Sequence, residues 1–304
     1  MGKNEINQRE SSEVSNLSLT FFEVDMTSIT SESMATFSEV ALKTSTSDEL
    51  LSVIIPCYNE EERIYKNLQE CLYTFRLMGM PFEIIAVNDG STDNTFQEMT
   101  RLAIANHELV PVTYGRNAGK GYALRVGAMR AMGNMIMFMD ADLEIHPRQT
   151  PLFIREMRRT KADIVIGSKR HPQSLVIYPK KREVLSWGYH VLVKIVFDLE
   201  LSDTQPGFKL LKRDVLEKEL SQIRANRYAF DLELLVNAKA DGYKIVEAPI
   251  ELNFNRPEGG RIGFGSVNNI FKETLGIYFR YRKRARRKAQ TSTVPSKDQD
   301  LPSP

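Results

Sequence analysis

From Leu51 to Gly167 the chain alternates short β-branched or apolar runs with longer amphipathic stretches. The runs are Leu51–Ile55, Phe82–Val87, Val110–Tyr114, Met135–Met139 and Ala162–Gly167. Between the first two, Ile64, Leu68, Leu72 and Phe75 recur at helical spacing until Gly79 and Pro81 stop the pattern. Asn59 is positioned to cap this helix, with Glu62 three residues on completing a capping box. Strands of about five residues alternating with helices of about ten to fifteen predict an α/β fold with a doubly wound, mostly parallel sheet. Ligands of such sheets bind beyond the carboxyl ends of the strands. Polar clusters fall at those ends: Pro56 to Glu60, Asn88 to Asp93, Gly115 to Gly121, Asp140 to Glu144, and Ser168 to Arg170. Their coincidence predicts one site.

The acidic cluster closes the strand Met135–Met139. If the extended course continues, Asp140, Asp142 and Glu144 share one face, because side chains two apart in a strand point the same way. Three carboxylates aimed at one point suit a hard divalent cation, Mg²⁺ or Mn²⁺, whose shell substrate phosphates would complete. The plain alternative is a polar loop after a strand. Asp89 can hydrogen-bond a base or ribose, and Lys120, Lys169, Arg170 and Arg182 can neutralise phosphates. A nucleoside-diphosphate ligand suits this set.

Composition narrows the class. The 304 residues are 42% hydrophobic and 26% charged, as in a globular protein, and the net charge of +2 gives no general argument for nucleic acid. Two cysteines, Cys57 and Cys71, do not make a disulfide scaffold and fit a reducing compartment. No apolar run approaches the ~20 residues that span a bilayer, and the polar N-terminus lacks a signal-peptide core. The sequence holds neither a G-x-x-x-x-G-K-[ST] phosphate loop nor a G-x-G-x-x-G after the first strand.

Residues 1–48 are rich in Ser, Thr, Glu and Asn and read as a disordered extension, with Phe21–Phe22 and Met34–Val40 as candidate docking helices. Glu183–Phe197 is apolar around most of its circumference, which suits a buried helix or one partly facing lipid. Asp203 to Phe208 is a polar turn entering a strand, and Tyr243–Leu252 is a final strand. Residues 266–288 read as an amphipathic helix with Val267, Ile270, Phe271, Leu275, Ile277, Tyr278 and Phe279, ending in a basic cluster from Arg280 to Lys288. It suits a membrane-surface anchor to anionic lipids or a solvated basic tail. Residues 289–304 read as a disordered tail.

The segments Val53-Ile54-Ile55-Pro56-Cys57-Tyr58-Asn59-Glu60, Val87-Asn88-Asp89-Gly90-Ser91-Thr92-Asp93 and Asp140-Ala141-Asp142 resemble the inverting family 2 glycosyltransferases of GT-A fold. Lys120-Gly121, Gly167-Ser168-Lys169-Arg170, Asp203-Thr204-Gln205-Pro206-Gly207-Phe208-Lys209 and Phe230-Asp231-Leu232-Glu233 look like those that act on dolichyl or polyprenyl phosphate. The resemblance covers about Leu51 to Gly265, within an expected catalytic domain of residues 49–265. It implies transfer of a hexose from GDP-mannose or UDP-glucose to a polyprenyl (dolichyl) monophosphate at the cytoplasmic face of a membrane, where an integral membrane partner could share the anchoring. It assigns Pro56, Tyr58, Glu60, Asp89 and Lys120 to the nucleotide sugar, and Asp140, Asp142 and the third position, here Glu144 where mannose-transferring relatives usually have Gln, to the metal. Lys169 or Arg170, with Arg182, would contact the acceptor phosphate. Asp203 and Asp231, otherwise turn and cap residues, would line the site, with Asp142 and Asp203 beside the reacting groups. Two rival readings are transfer to a saccharide hydroxyl, and an inactive module that binds a membrane partner.

Overall fold

The structure is a computed structural model that describes residues 22–23, 50–176, 193–194, 196–197, 199, 201–204, 206–227, 229–252 and 273–284. Its strands are β1 (Phe22–Glu23), β2 (Leu51–Cys57), β3 (Phe82–Asn88), β4 (Leu109–Thr113), β5 (Met135–Phe138), β6 (Ile164–Ser168), β7 (Leu175–Val176), β8 (Lys209–Lys212), β9 (Ile245–Pro249) and β10 (Glu251–Leu252). The helices are α1 (Ile64–Leu77), α2 (Thr95–Ala103), α3 (Lys120–Ala128), α4 (Thr150–Thr160), α5 (Arg213–Leu220) and α6 (Phe230–Ala240). Residues 273–284 are also helical.

The main sheet runs β1-β4-β3-β2-β5-β8-β6-β9, and β7 pairs with β10 apart from it. Alternation along β2 explains the layering. Leu51, Val53 and Ile55 pack with α1, α2 and α4 on one face, while Ile54 packs with α3, α5 and α6 on the other. From β2 the chain builds outward through β3 to β4, then returns to β2's other side with β5. The crevice between the carboxyl ends of β2 and β5 is therefore the topological switch point, where open α/β sheets bind ligands.

The main sheet is mostly parallel, as expected, with β8 antiparallel between β5 and β6. Several local expectations are corrected. Asn59 does not cap α1: it sits at φ +52° and its Oδ1 accepts the Thr92 amide at 2.9 Å. The helix entry is closed by the Glu60 carbonyl, which accepts the Arg63 and Ile64 amides. Phe22–Glu23 forms a strand against the β4 edge rather than part of a helix, since a strand edge offers backbone partners. Helical residues 273–284 fall within the expected 266–288, but their apolar side chains divide. Ile277 and Thr274 face inward, while Leu275 and Phe279 are exposed. Most of residues 1–48, the helix Glu183–Phe197 apart from a few positions, residues 253–272 and the tail beyond 284 lie outside the described residues. Among the described residues no helix is long and apolar enough to cross a membrane.

Candidate active site

The strand carrying the acidic cluster ends at Phe138, and the chain then turns. Leu143 takes φ +54°, its amide approaches the Asp140 carbonyl at 3.4 Å, and the Glu144 amide donates to Asp142 Oδ1 at 3.2 Å. The carboxylates are therefore not aligned by an extended strand as the sequence suggested. They meet instead around a pocket of about 130 Å³, lined by Asp140, Asp142, Glu144, Lys169, Gly207 and Phe208 among others. Two anchors hold this turn. Asn67 Nδ2 on α1 donates to the Ala141 carbonyl at 2.7 Å. On the other side Gly207 packs so tightly that a Cβ there would lie 1.9 Å from Asp140 Oδ2.

Opposite the carboxylates stand cations. Lys120 opens α3, and its Nζ lies 2.6 Å from Asp140 Oδ1. Burial works against the charged amine, but Asp140 first, then Asp231 and Asp142, hold its pKa above the ordinary lysine value. Behind it Lys209, wholly buried on β8, pairs with Asp231 Oδ1 at 2.8 Å and donates to the Pro206 carbonyl. Burial dominates there and lowers the Lys209 pKa despite Asp231. Lys169 reaches the pocket beside Asp203: its amide donates to Asp203 Oδ2 at 3.3 Å and its Nζ lies 3.6 Å away. Asp203 is oriented by Glu247 on β9, which accepts its amide and both the amide and hydroxyl of Ser202.

The expected nucleotide side is built differently from its sequence reading. Asp89 is 3% exposed, and its carboxylate accepts from Tyr114 Oη at 2.7 Å, the Ala118 amide at 2.7 Å, the Gly119 amide at 3.0 Å and Asn117 Nδ2 at 2.9 Å. In this arrangement it fastens the loop that delivers Lys120. Burial outweighs these donors and raises its pKa. Pro56 lies on β2 opposite Val87, and Tyr58 follows the strand end. The Glu60 amide donates to Thr95 Oγ1 at 2.8 Å, and its carboxylate meets Arg63 at 2.9 Å. The Arg170 amide donates to Ser168 Oγ at 3.3 Å. Arg182 lies outside the described residues.

Lys209, Gly207 and Glu247 are the site-building residues that the sequence reading passed over. A lysine inside the apolar run Phe208–Leu211 was a visible signal. Gly207 stood out only as a member of the Asp203–Lys209 motif, since its role is a tertiary approach.

The donor set fits a hard divalent cation. It is all oxygen, Gly207 leaves room for nothing larger than hydrogen against Asp140, and an ammonium already seeks that carboxylate. Among the described residues no three His, Cys, Asp or Glu stand close enough together to hold a metal ion by themselves, so a cation here would draw the rest of its shell from the substrate phosphates. Asp140, Asp142 and Glu144 all line this pocket.

The profile of Glycosyl transferase family 2 matches residues 52–220, more than half the chain. The chain belongs to that family. It is 31% identical over 243 residues to a dolichyl-phosphate beta-glucosyltransferase of Trichomonas vaginalis, covering 76% of this chain and 74% of the relative. It is 31% identical over 256 residues to the dolichyl-phosphate beta-glucosyltransferase of Homo sapiens, covering 79% and 78%. Its fold is similar to that of glucosyl-3-phosphoglycerate synthase from Mycobacterium tuberculosis, crystallised with Mn²⁺, UDP-glucose and phosphoglyceric acid. That match has a TM-score of 0.57 at 17% identity and covers 82% of this chain and 83% of the other. The protein is a glycosyltransferase of GT-A fold.

Proposed function

We propose that this glycosyltransferase moves a hexose from a nucleoside-diphosphate sugar to a polyprenyl (dolichyl) monophosphate, with inversion. The observation that carries the reading is the juxtaposition of Lys169 with the Asp140–Asp142 pocket, both at the carboxyl ends of the sheet. An anionic acceptor needs a cation on its side of the site, and Lys169, tethered to Asp203, supplies one. The names of the relatives support a dolichyl-phosphate acceptor and a glucosyl donor, and favour UDP-glucose over GDP-mannose.

A phosphate monoester is largely dianionic at neutral pH, its second pKa lying near ~6, so its oxygen attacks without a general base. That oxygen forms a bond to the anomeric carbon as the carbon's bond to the diphosphate oxygen breaks. The nucleoside diphosphate leaves with the electron pair. An α-linked donor thereby yields a β-linked product, the anomer in the relatives' names. Asp140 and Asp142 would hold Mg²⁺ or Mn²⁺, whose role is to stabilise charge on the departing diphosphate. Lys120, delivered by the loop that Asp89 fastens, faces the same diphosphate. Lys169 and Asp203 orient the acceptor, with Arg170 and Arg182 assigned to its phosphate by motif.

The acceptor lives in a bilayer, so the enzyme works at a membrane surface, which we assign to the cytoplasmic face. The helical residues 273–284, with exposed Phe279, Arg282 and Lys283, support direct contact with anionic lipid. The test is transfer of radiolabel from UDP-glucose, and in parallel GDP-mannose, into organic-extractable lipid. Counts with one donor, abolished by EDTA and by Asp142→Ala, are expected. Counts only with a free saccharide acceptor would replace the lipid reading, and no nucleotide binding would sink the enzymatic one.

A further inference from the structure

Lys120 and Asp231 stand at the abutting starts of α3 and α6, where a Cβ on Gly121 would lie 2.5 Å from Phe230, and each pairs with another charge: Lys120 with Asp140, Asp231 with Lys209. Lys209 is fixed: it is wholly buried on a strand flanked on both sides, and its ammonium is held by Asp231 at 2.8 Å and by the Pro206 carbonyl. Asp231, 5% exposed at the start of α6, is fixed with it. Lys120 is different. It is the first residue of α3, follows Gly119 at φ +100°, and reaches Asp140 on a flexible four-carbon stem. Its ammonium occupies the charge-neutralising position that a divalent cation on Asp140 would need. An ammonium 2.6 Å from a carboxylate and a divalent ion on the same oxygens repel each other, even though the Asp140 side chain is 41% exposed.

We propose that Lys120 is an internal counter-ion: it neutralises Asp140 until a divalent cation enters, then transfers to Asp231, which Lys209 holds ready to receive it. The proposal rests on the metal-dependent reading above and gives a physical role to the part-exposed Lys120–Asp140 pair, which stability alone does not explain. Such pairs contribute little net stabilisation because their desolvation cost offsets their attraction.

The experiment measures Mn²⁺ uptake by the full-length, nucleotide-free protein, from the paramagnetic resonance signal of free Mn²⁺. Lys120→Met removes the competitor, and Mn²⁺ affinity is expected to rise about tenfold, which is about 1.4 kcal/mol. Lys120→Gln should move the same way and guards against a folding artefact, with circular dichroism checking both. Asp231→Asn removes the receiving carboxylate and is expected to weaken Mn²⁺ binding in the wild-type background. In the Lys120→Met background the same change should matter little, because no lysine needs the seat. A Lys120→Met or Lys120→Gln protein that folds yet binds Mn²⁺ no more tightly than wild type overturns the proposal. So does an Asp231→Asn effect of equal size in both backgrounds, which is plain long-range electrostatics. If neither wild type nor variants take up Mn²⁺, the counter-ion role is wrong, while label transfer into lipid decides the enzymatic reading by itself.

Discussion

Gly207 and Asp89 show how single residues set the geometry of this site. A methyl group at Gly207 would overlap Asp140 Oδ2, so Gly207→Ala must shift the carboxylate or the backbone that faces it. A displacement of about 1 Å at a reacting centre costs on the order of 100-fold in rate. Gly207→Ala is therefore expected to lose about 100-fold in labelled-lipid formation while nucleotide binding, measured by calorimetry, persists. Retention of near wild-type turnover would show that Asp140 is not held in place by this contact. Asp89→Ala acts through the loop. It strips the acceptor from Tyr114, Asn117, Ala118 and Gly119, and unsatisfied buried donors cost about 1–3 kcal/mol each. We expect a lower unfolding midpoint together with weakened UDP binding, and unchanged binding with a lowered midpoint would confine Asp89 to folding. At this scale the sequence named charged residues that the fold brings to one pocket, but not their geometry. Asp140, Asp142, Lys120 and Lys169 were legible because charged residues clustered at strand ends, whereas Asp203 came only from the resemblance of its motif. Gly207 was not, because nothing local distinguishes a glycine pressed against a carboxylate from a turn glycine.

The elements were legible where one periodicity ruled. β2 to β6 and α1, α2 and α4 follow from apolar spacing, because each buries one face on a shared sheet. β8 was found as a strand, but its antiparallel direction depends on how residues 169–208 return to the sheet, which no local pattern encodes. The helical residues 273–284 were read as a surface element, yet they are fastened to the core. Arg280 Nε reaches the buried Glu233 at 2.7 Å, Arg284 Nη2 meets Asp241 at 2.5 Å, and Tyr278 and Tyr281 pack edge-on to Phe197. Beside this joint, burial first and then Asp241 push the Glu219 carboxyl up to about 7, against Arg284 and Lys218. A carboxyl whose folded pKa lies above its unfolded value of 4.5 favours the folded state most at low pH. Its contribution is fully present below about pH 4.5 and is lost as pH rises through about 7. We expect this group to remove on the order of 2 kcal/mol of stability between pH 5 and pH 8. Glu219→Gln should flatten that part of the profile in denaturant titrations at the two pH values. An unchanged slope in the variant would assign the pH dependence elsewhere.

Across the whole molecule, the topological switch between β2 and β5 gathers the polar loops onto one edge of the sheet, and the C-terminal helical residues pack on the face formed with α5 and α6. This places the basic cluster in two roles that composition alone could not separate. Arg280 and Arg284 neutralise Glu233 and Asp241 within the protein, whereas Arg282 and Lys283 are exposed beside Phe279, which is 63% exposed. If the outward set meets lipid, the two sets must separate under mutation. Each basic residue near an anionic surface contributes about 1 kcal/mol, and each buried methylene about 0.8 kcal/mol. The double change Phe279→Glu and Lys283→Glu is therefore expected to lower co-sedimentation with phosphatidylserine vesicles at least about tenfold, since 1.4 kcal/mol is a factor of ten. Surface changes of this kind usually alter stability by less than about 0.5 kcal/mol, so the unfolding midpoint should hardly move. Arg280→Ala should give the opposite pattern. It leaves the Glu233 carboxylate, 2% exposed, without its guanidinium, and removing one partner of a buried ion pair costs up to about 3–5 kcal/mol, less here because Arg280 is part-exposed. Vesicle binding by that variant should persist at temperatures where it stays folded. Should the Phe279–Lys283 variant bind vesicles as wild type does, the exposed set does not face lipid, and the membrane contact lies on another surface of the protein.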